Sequence, residues 1–310
     1  MKKLIILSLS VFCFSCKRGH EDPKPYSTLL TTLSTPTNPQ SQGILSPVMI
    51  QNPLLFEGTA TWCGYCPRGA VEMKQMLMKY PNVIGLVTHS SDFLSDTYPL
   101  AKLLTNNPAA HSFGIPSFFA GNQVADSLAI YVDPEPMIIS ELSKTPIAAV
   151  GHHFVKVNST YNIQVRVKFN TAATGNYFIG TYAVQNGIIA SGDNLYQGDE
   201  IGLLTQPSYS SADTTKWAVN SAAYVTGQGN TDYWFKVGNI YTHDHIVTAS
   251  ADGIISPWGQ NLNQTSFTAN ESLDFNFTIT SYSFWTKSIE IVTILWLQNG
   301  NTCTYVNGYH

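Results

Sequence analysis

Cys63-Gly64-Tyr65-Cys66 is the part of the chain whose residue types and spacing carry the clearest chemistry. The apolar run Leu54-Leu55-Phe56 and a turn over Gly58 to Thr61 precede it, and Pro67 follows directly. Proline fits a helix in its first turn, where the missing N–H costs nothing. The pattern therefore reads as strand, turn and helix, with both thiols at the helix N-terminus. Unpaired backbone N–H groups and the positive end of the helix dipole favour a thiolate at Cys63 there. Cys63 is then a nucleophile, and Cys66 stands at the right spacing to resolve a mixed disulfide. The alternative is a structural disulfide between the same residues. A zinc site needs two further ligands at suitable spacing, and the sequence shows none nearby. Neither a metal nor a cofactor is expected.

Other residues are weighed beside this pair. Glu57, on the strand before the cysteines, is placed as a proton acceptor for thiol exchange, against the plainer reading of a strand-end carboxylate. His89 follows the apolar run Val83 to Thr88, at the strand edge that bears the cysteine turn; it either tunes the thiolate or makes local hydrogen bonds. His111 is weighed in the same way. His243-X-His245 puts two imidazoles on one side of a strand, with Asp244 on the other, which is two ligands and not a site. Packing or hydrogen bonding is expected there and at His152-His153, and Cys303 reads as a buried free thiol.

Trp62-Cys63-Gly64-Tyr65-Cys66-Pro67, Glu57 six positions before the first cysteine, and the later Gly114-Ile115-Pro116 followed by Phe118-Phe119 resemble the thioredoxin superfamily. The resemblance implies that Cys63 attacks, Cys66 resolves, Glu57 exchanges a proton, and Pro116 is a cis-proline packed beside the disulfide. The chain departs from that pattern in carrying Glu where Asp is commoner. It also places Pro116 53 positions after Cys63, which requires extra loop or helix. Gly64-Tyr65 resembles bacterial disulfide isomerases and Ile115 before the proline resembles reducing thioredoxins, so the direction of exchange stays open.

The elements that must position these residues follow from periodicity. Residues 44–146 alternate between strand and helix: strands over Ile44–Gln51, Leu54–Gly58 and Val83–Thr88, helices over Gly69–Lys79, Phe93–Thr105 and Pro134–Lys144, and a hairpin across Gly121-Asn122. Residues 147–310 change to a period of two. Tyr161, Ile163, Val165, Val167 and Phe169 alternate with polar residues, and Asn186-Gly187 and Asn299-Gly300 are hairpin signals because a tight turn needs positive φ. No helix is expected there. The fold class is an α/β thioredoxin-like domain (44–146) followed by an all-β sandwich domain (147–310), immunoglobulin-like or jelly-roll-like, of about eight strands.

A chain of 310 residues is long enough for two cores. Its net charge of −4, with no basic run after the N-terminus, excludes nucleic acid as the expected partner. Met1-Lys2-Lys3 and the apolar Leu4 to Phe14 form a secretory signal over 1–15, too short to span a bilayer. Ser15-Cys16 then matches the end of a lipoprotein signal, which makes Cys16 the lipidated mature N-terminus; ordinary cleavage nearby is the alternative. Residues 16–43, rich in Pro, Ser and Thr, read as a flexible tether.

Taken whole, the lipoprotein signal, the thioredoxin-like half and a β-rich half bearing Tyr241-Thr242-His243-Asp244-His245-Ile246-Val247 are similar to the Omp-twenty-eight-related outer membrane lipoproteins of Bacteroidetes. That resemblance implies an outer membrane lipoprotein of the cell envelope, periplasmic or surface-facing. The expected function is a membrane-tethered extracytoplasmic thiol–disulfide oxidoreductase acting on protein thiols and disulfides. The rival is a surface lipoprotein that binds a protein or glycan through its β-sandwich, with the thioredoxin-like half as scaffold.

Overall fold

The structure, a computed structural model, describes residues 40–60, 66–89, 94, 115, 117–124, 134–189, 242–254, 256, 258–281 and 289–310. Its first half runs β1 (Gln40–Ile44), β2 (Leu54–Thr59), α1 (Cys66–Lys79), β3 (Ile84–His89), β4 (Ser117–Ala120), β5 (Gln123–Val124) and α2 (Glu135–Leu142). β2 and β3 are parallel, β4 is antiparallel to β2, and β5 returns against β4. The β4–β5 hairpin turns at Gly121-Asn122 as expected, with Gly121 at φ +58°. α1 buries Met73 and Met76 against Leu55, Val83, Val87 and Phe118, and Ile138 of α2 joins the same cluster. Both helices therefore cover one face of the sheet. Lys79, in the last turn of α1, offsets the helix dipole, and Lys79 and Tyr80 both bond Glu135 at the start of α2.

The second half contributes β6 (Ala148–Val157), β7 (Thr160–Phe169), β8 (Ala173–Thr174), β9 (Tyr177–Gln185), β10 (Ile188–Ile189), β11 (Thr242–His243), β12 (Ile246–Ser250), β13 (Gln260–Asn261), β14 (Ser266–Phe267), β15 (Ser272–Thr280), β16 (Ile289–Asn299) and β17 (Thr302–Tyr309). No helix occurs among the described residues after α2. β7 shows the period of two directly: Tyr161, Ile163, Val165, Val167 and Phe169 are buried while Asn162 and Gln164 are exposed. β1, β6, β7 and β15 form a four-stranded sheet. Its apolar face packs on Ile179, Ala183, Ala249, Ile291 and Leu295 of β9, β12 and β16, which makes two layers around one core.

Those three strands belong to a nine-stranded sheet of order β17-β16-β9-β12-β3-β2-β4-β5, with β13 on β9. One sheet thus crosses from the second half into the first. The junction is the parallel pairing of Ile246 with Val87, reinforced by the Val87 N–H donating to the His245 carbonyl at 2.8 Å. The opposite face of this sheet holds Leu54, Phe56, Ile84, Leu86 and Phe119 together with Tyr182, Val292, Ile294, Trp296 and Tyr305. These residues come from distant strands of the same sheet, so the sheet curls around them. All six residues of β2 are buried because α1 covers one side and this curl covers the other.

Side chains close the curl where no ladder does. Gln51 Nε2 donates to the Val306 carbonyl, Asn52 Nδ2 to the Gly308 carbonyl, and Asn122 Nδ2 to the Tyr305 carbonyl, at 2.7 to 2.9 Å. Asn122 Oδ1 accepts the Tyr305 N–H, and the Tyr305 hydroxyl donates to the Asn52 carbonyl. Asn307, 1% exposed, fills its whole hydrogen-bonding capacity: Nδ2 donates to the Ile50 and Ala148 carbonyls, and Oδ1 accepts from the N–H groups of Asn52 and Gly308.

Several expectations change. The strand expected over Ile44–Gln51 lies at Gln40–Ile44 instead, begins inside the segment read as tether, and pairs with β6. Residues 50–52 have polar backbone groups, but Asn307 and its neighbours satisfy them in place of a strand partner. Asn186-Gly187 is a corner and not a hairpin. β9 ends before it, and β10 leaves to pair with β11, while Gly187 keeps the positive φ that the sequence signalled, at +70°. Asn299-Gly300 does mark a hairpin, with Asn299 opposite Thr302. The helix expected over Phe93–Thr105 falls outside the described residues apart from Leu94. No helix among the described residues is long and apolar enough to cross a membrane.

Candidate functional site

Cys66 is the first residue of α1, where the strand-turn-helix reading puts it, and only 1% of it is exposed. It is disulfide-bonded. Cys303 is a free thiol. Cys63 and Pro116, the other two residues expected at the exchange site, lie outside them as well, as do Cys16 and His111. The residue before Pro116 is placed: Ile115 packs on Ala60 and Cys66. β4 starts at Ser117, opposite Gly58 of β2 and two positions after Ile115.

Glu57 lies in the middle of this arrangement. On β2 it is flanked by Val87 of β3 and Phe118 of β4, and it is 1% exposed. Its Oε1 has no hydrogen-bond partner. Burial without compensating donors penalises the charged form, so the carboxyl is held well above the usual range. A neutral carboxyl can give a proton and take one back once ionised, whereas the sequence placed this residue as a proton acceptor.

Alternation along the strands gives Glu57 its neighbours. Glu57 and Thr59 of β2 share a face with Val87 and His89 of β3, and this face opens into a cleft of about 110 Å³. Met73 and Lys74 of α1 form one wall; His243, Asp244, His245 and Ile246 form another. The His89 and His243 rings meet edge to face, with centroids 5.0 Å apart.

The second wall belongs to a tightly held turn. β11 ends at His243 and β12 begins at Ile246, so Asp244 and His245 bridge two strands, with His245 at φ +58°. The expectation that His243 and His245 occupy one side of a single strand therefore fails, and so does the expectation that Asp244 faces away. All three line the cleft. Asp244 Oδ1 accepts the Gly187 N–H at 2.7 Å, and Asn186 Oδ1 accepts the His245 N–H at 2.7 Å. Burial lowers the His245 pKa, against the opposing pull of Glu290 and Asp244 and with a contribution from His310. No group of three or more His, Cys, Asp or Glu among the described residues is arranged to hold a metal ion.

Sequence reasoning weighed His89 and His243 separately and missed their meeting, and it passed over Lys74 and Thr59. The signal that joins them is the β3–β12 pairing, which links strands more than 150 positions apart. His152, by contrast, is a packed core histidine as expected. Its Nδ1 shares a hydrogen bond with Thr293 Oγ1 at 3.1 Å, and its ring stands against Tyr309.

No family model and no curated protein matches the chain. Two solved structures match the chain. A structural-genomics protein from Agrobacterium tumefaciens has a TM-score of 0.46 at 11% identity, over 84% of this chain and 93% of its own. HBP35 of Porphyromonas gingivalis, a Bacteroidetes protein, has a TM-score of 0.55 at 16% identity, over 85% of this chain and 76% of its own. The likeness to HBP35 is one of fold, and at that level it relates the chain to a Bacteroidetes protein.

Proposed function

We propose that this protein is an extracytoplasmic thiol–disulfide oxidoreductase, tethered to the envelope by a lipid on Cys16 and acting on protein thiols and disulfides through Cys63 and Cys66. The observation that carries the reading is the state and place of Cys66: disulfide-bonded, at the first residue of α1, and packed on Ile115 just before the proline motif. The unit around it is strand–helix–strand followed by a hairpin and a helix, in the strand order β3-β2-β4-β5, with α1 and α2 on one face. That order suits a thioredoxin-like unit. In this reading Cys63 is the partner of Cys66 and the sulfur that substrate attacks, Cys66 is the leaving sulfur, and Glu57 is the acid that protonates it.

The test is a redox titration of the full chain against glutathione and dithiothreitol, with Cys63→Ser and Cys66→Ser as controls. A pair that equilibrates with these couples is expected, together with mixed disulfides trapped by Cys66→Ser and not by Cys63→Ser. A Cys66 disulfide that stays closed in excess dithiothreitol would make it a structural staple and sink the oxidoreductase reading.

A further inference from the structure

We propose that the His89–His243 ring pair is the proton path between Glu57 and solvent, so that the second half of the chain supplies a positioning residue, His243, to chemistry carried by the first. This rests on the redox reading above, because it gives the Glu57 proton its source.

Glu57, His89 and His243 line the cleft together, and all three are buried. Asp244 and His245 in the same lining are half-buried, and Lys74 is exposed. Buried Glu57 has an oxygen free to bond into this space. Imidazole suits the step between, since one ring nitrogen can accept a proton while the other releases one. A cleft of about 110 Å³ also has room for water to bridge donors that do not touch. The Asp244 and Asn186 side chains accept the N–H groups of Gly187 and His245 and so brace the turn that follows His243.

The proton balance is as follows. A substrate thiolate forms a bond to Cys63 Sγ while the Cys63–Cys66 bond breaks, leaving the electron pair on Cys66. Glu57 gives its proton to that thiolate and becomes a buried carboxylate, a state its surroundings disfavour. A proton from water enters at His243, passes to His89 and restores the acid; the proton that the substrate thiol lost to water balances it. Exchange in the reverse direction drives the proton outward along the same rings. The charged and titratable groups lining the cleft around these rings are Lys74 of α1, Asp244 and His245 of the turn, with Glu290 and His310 acting on His245.

The test uses the oxidised full chain labelled with carbon-13 at glutamate carboxyls, with Glu57→Gln identifying the Glu57 signal. The rate at which that carboxyl exchanges its proton with solvent is read from its line shape through the titration. His243→Ala should slow it about tenfold, a modest part of what a positioned acid–base group supplies, and free imidazole should restore it. His243→Phe keeps a ring against His89 without a nitrogen and should show the same loss. Unchanged exchange in His243→Ala, recovery in His243→Phe or absence of imidazole rescue would each overturn the path. In stopped-flow opening of the disulfide by dithiothreitol, His243→Ala should also be about tenfold slower, and the difference should vanish in a Glu57→Gln background. A wild type whose disulfide does not open, but whose Glu57 exchange depends on His243, removes the redox reading and leaves the path. The opposite pattern removes the path alone.

Discussion

The side chain of Asn307 holds the backbone of Asn52, accepting its N–H on Oδ1 at 3.0 Å across 255 positions of sequence. Its carboxamide also serves Ile50, Ala148 and Gly308, so Asn307→Ala removes the partner of four backbone groups at once, three of them buried and the Ile50 carbonyl part-buried. Buried unsatisfied groups cost about 1–3 kcal/mol each, partly relieved when water enters. Asn307→Ala is therefore expected to lower stability by about 3 kcal/mol or more in urea unfolding. Asn307→Asp, which keeps the acceptor and loses both donors, should fall between. A loss under about 1 kcal/mol would mean that the curl is held elsewhere.

Two buried titratable groups set opposite pH slopes. Burial, with His310 and His153 nearby, pushes the His152 pKa from 6.5 down to about 3. Between those values the unfolded chain binds a proton that the folded chain refuses, so stability is lost as pH falls below 6.5. Glu57 is held well above 4.5 by burial. As pH rises past 4.5 the unfolded chain releases a proton that the folded chain keeps, so stability is lost with rising pH. Each slope is about 1.4 kcal/mol per pH unit. Above pH 4.5 the Glu57 slope opposes the His152 slope, and below pH 4.5 the His152 slope acts alone, so the wild type should lose stability more steeply on the acid side of pH 4.5 than between pH 4.5 and 6.5. Denaturant unfolding from pH 3 to 9 should show His152→Gln losing the acid slope. Glu57→Gln should lose the alkaline slope and be more stable than wild type at pH 7.

Cys303 should be inert. Burial beside Trp296 and Tyr182 raises its pKa to about 12. Near neutral pH its thiolate fraction is then about a thousandfold below that of a free thiol at ~8.5. In fully reduced protein, iodoacetamide should label Cys63 long before Cys303, as peptide mapping would show. Early labelling of Cys303 would contradict its burial.

The Asp244 carboxylate anchors the turn beside the cleft through the Gly187 N–H. Asp244→Ala should cost about 1–2 kcal/mol, while Asp244→Asn, which still offers an oxygen, should cost under about 1 kcal/mol. Equal losses would show that charge rather than the hydrogen bond matters.

What was legible in the sequence was local. The period of two in Tyr161 to Phe169, the positive-φ turns at Gly121 and Gly300, and the placement of Cys66 at a helix start all depend on residues within a few positions of one another. The Asn186-Gly187 signal gave the right backbone conformation and the wrong partner, because φ fixes the turn while long-range pairing decides which strand follows. Ile44–Gln51 looked like a strand from its apolar content. The Ile50 carbonyl is instead held by Asn307, a residue that no local window contains. The cleft was illegible for the same reason: His89 and His243 are brought together by a single parallel register between β3 and β12.

The Asn52–Asn307 seam also sets a timetable. A chain that appears N-terminus first offers Asn52 its partner only after 255 further residues have been made, which at ordinary synthesis rates takes about 13 to 50 s. Until then the apolar faces of β2 and β3 lack the wall formed by Trp296 and Tyr305. Contacts this distant in sequence slow folding, since the chain entropy of a long loop is lost before the contacts reward it. The first half therefore lacks one wall of its core during its own synthesis, and the fold completes when the last strand arrives.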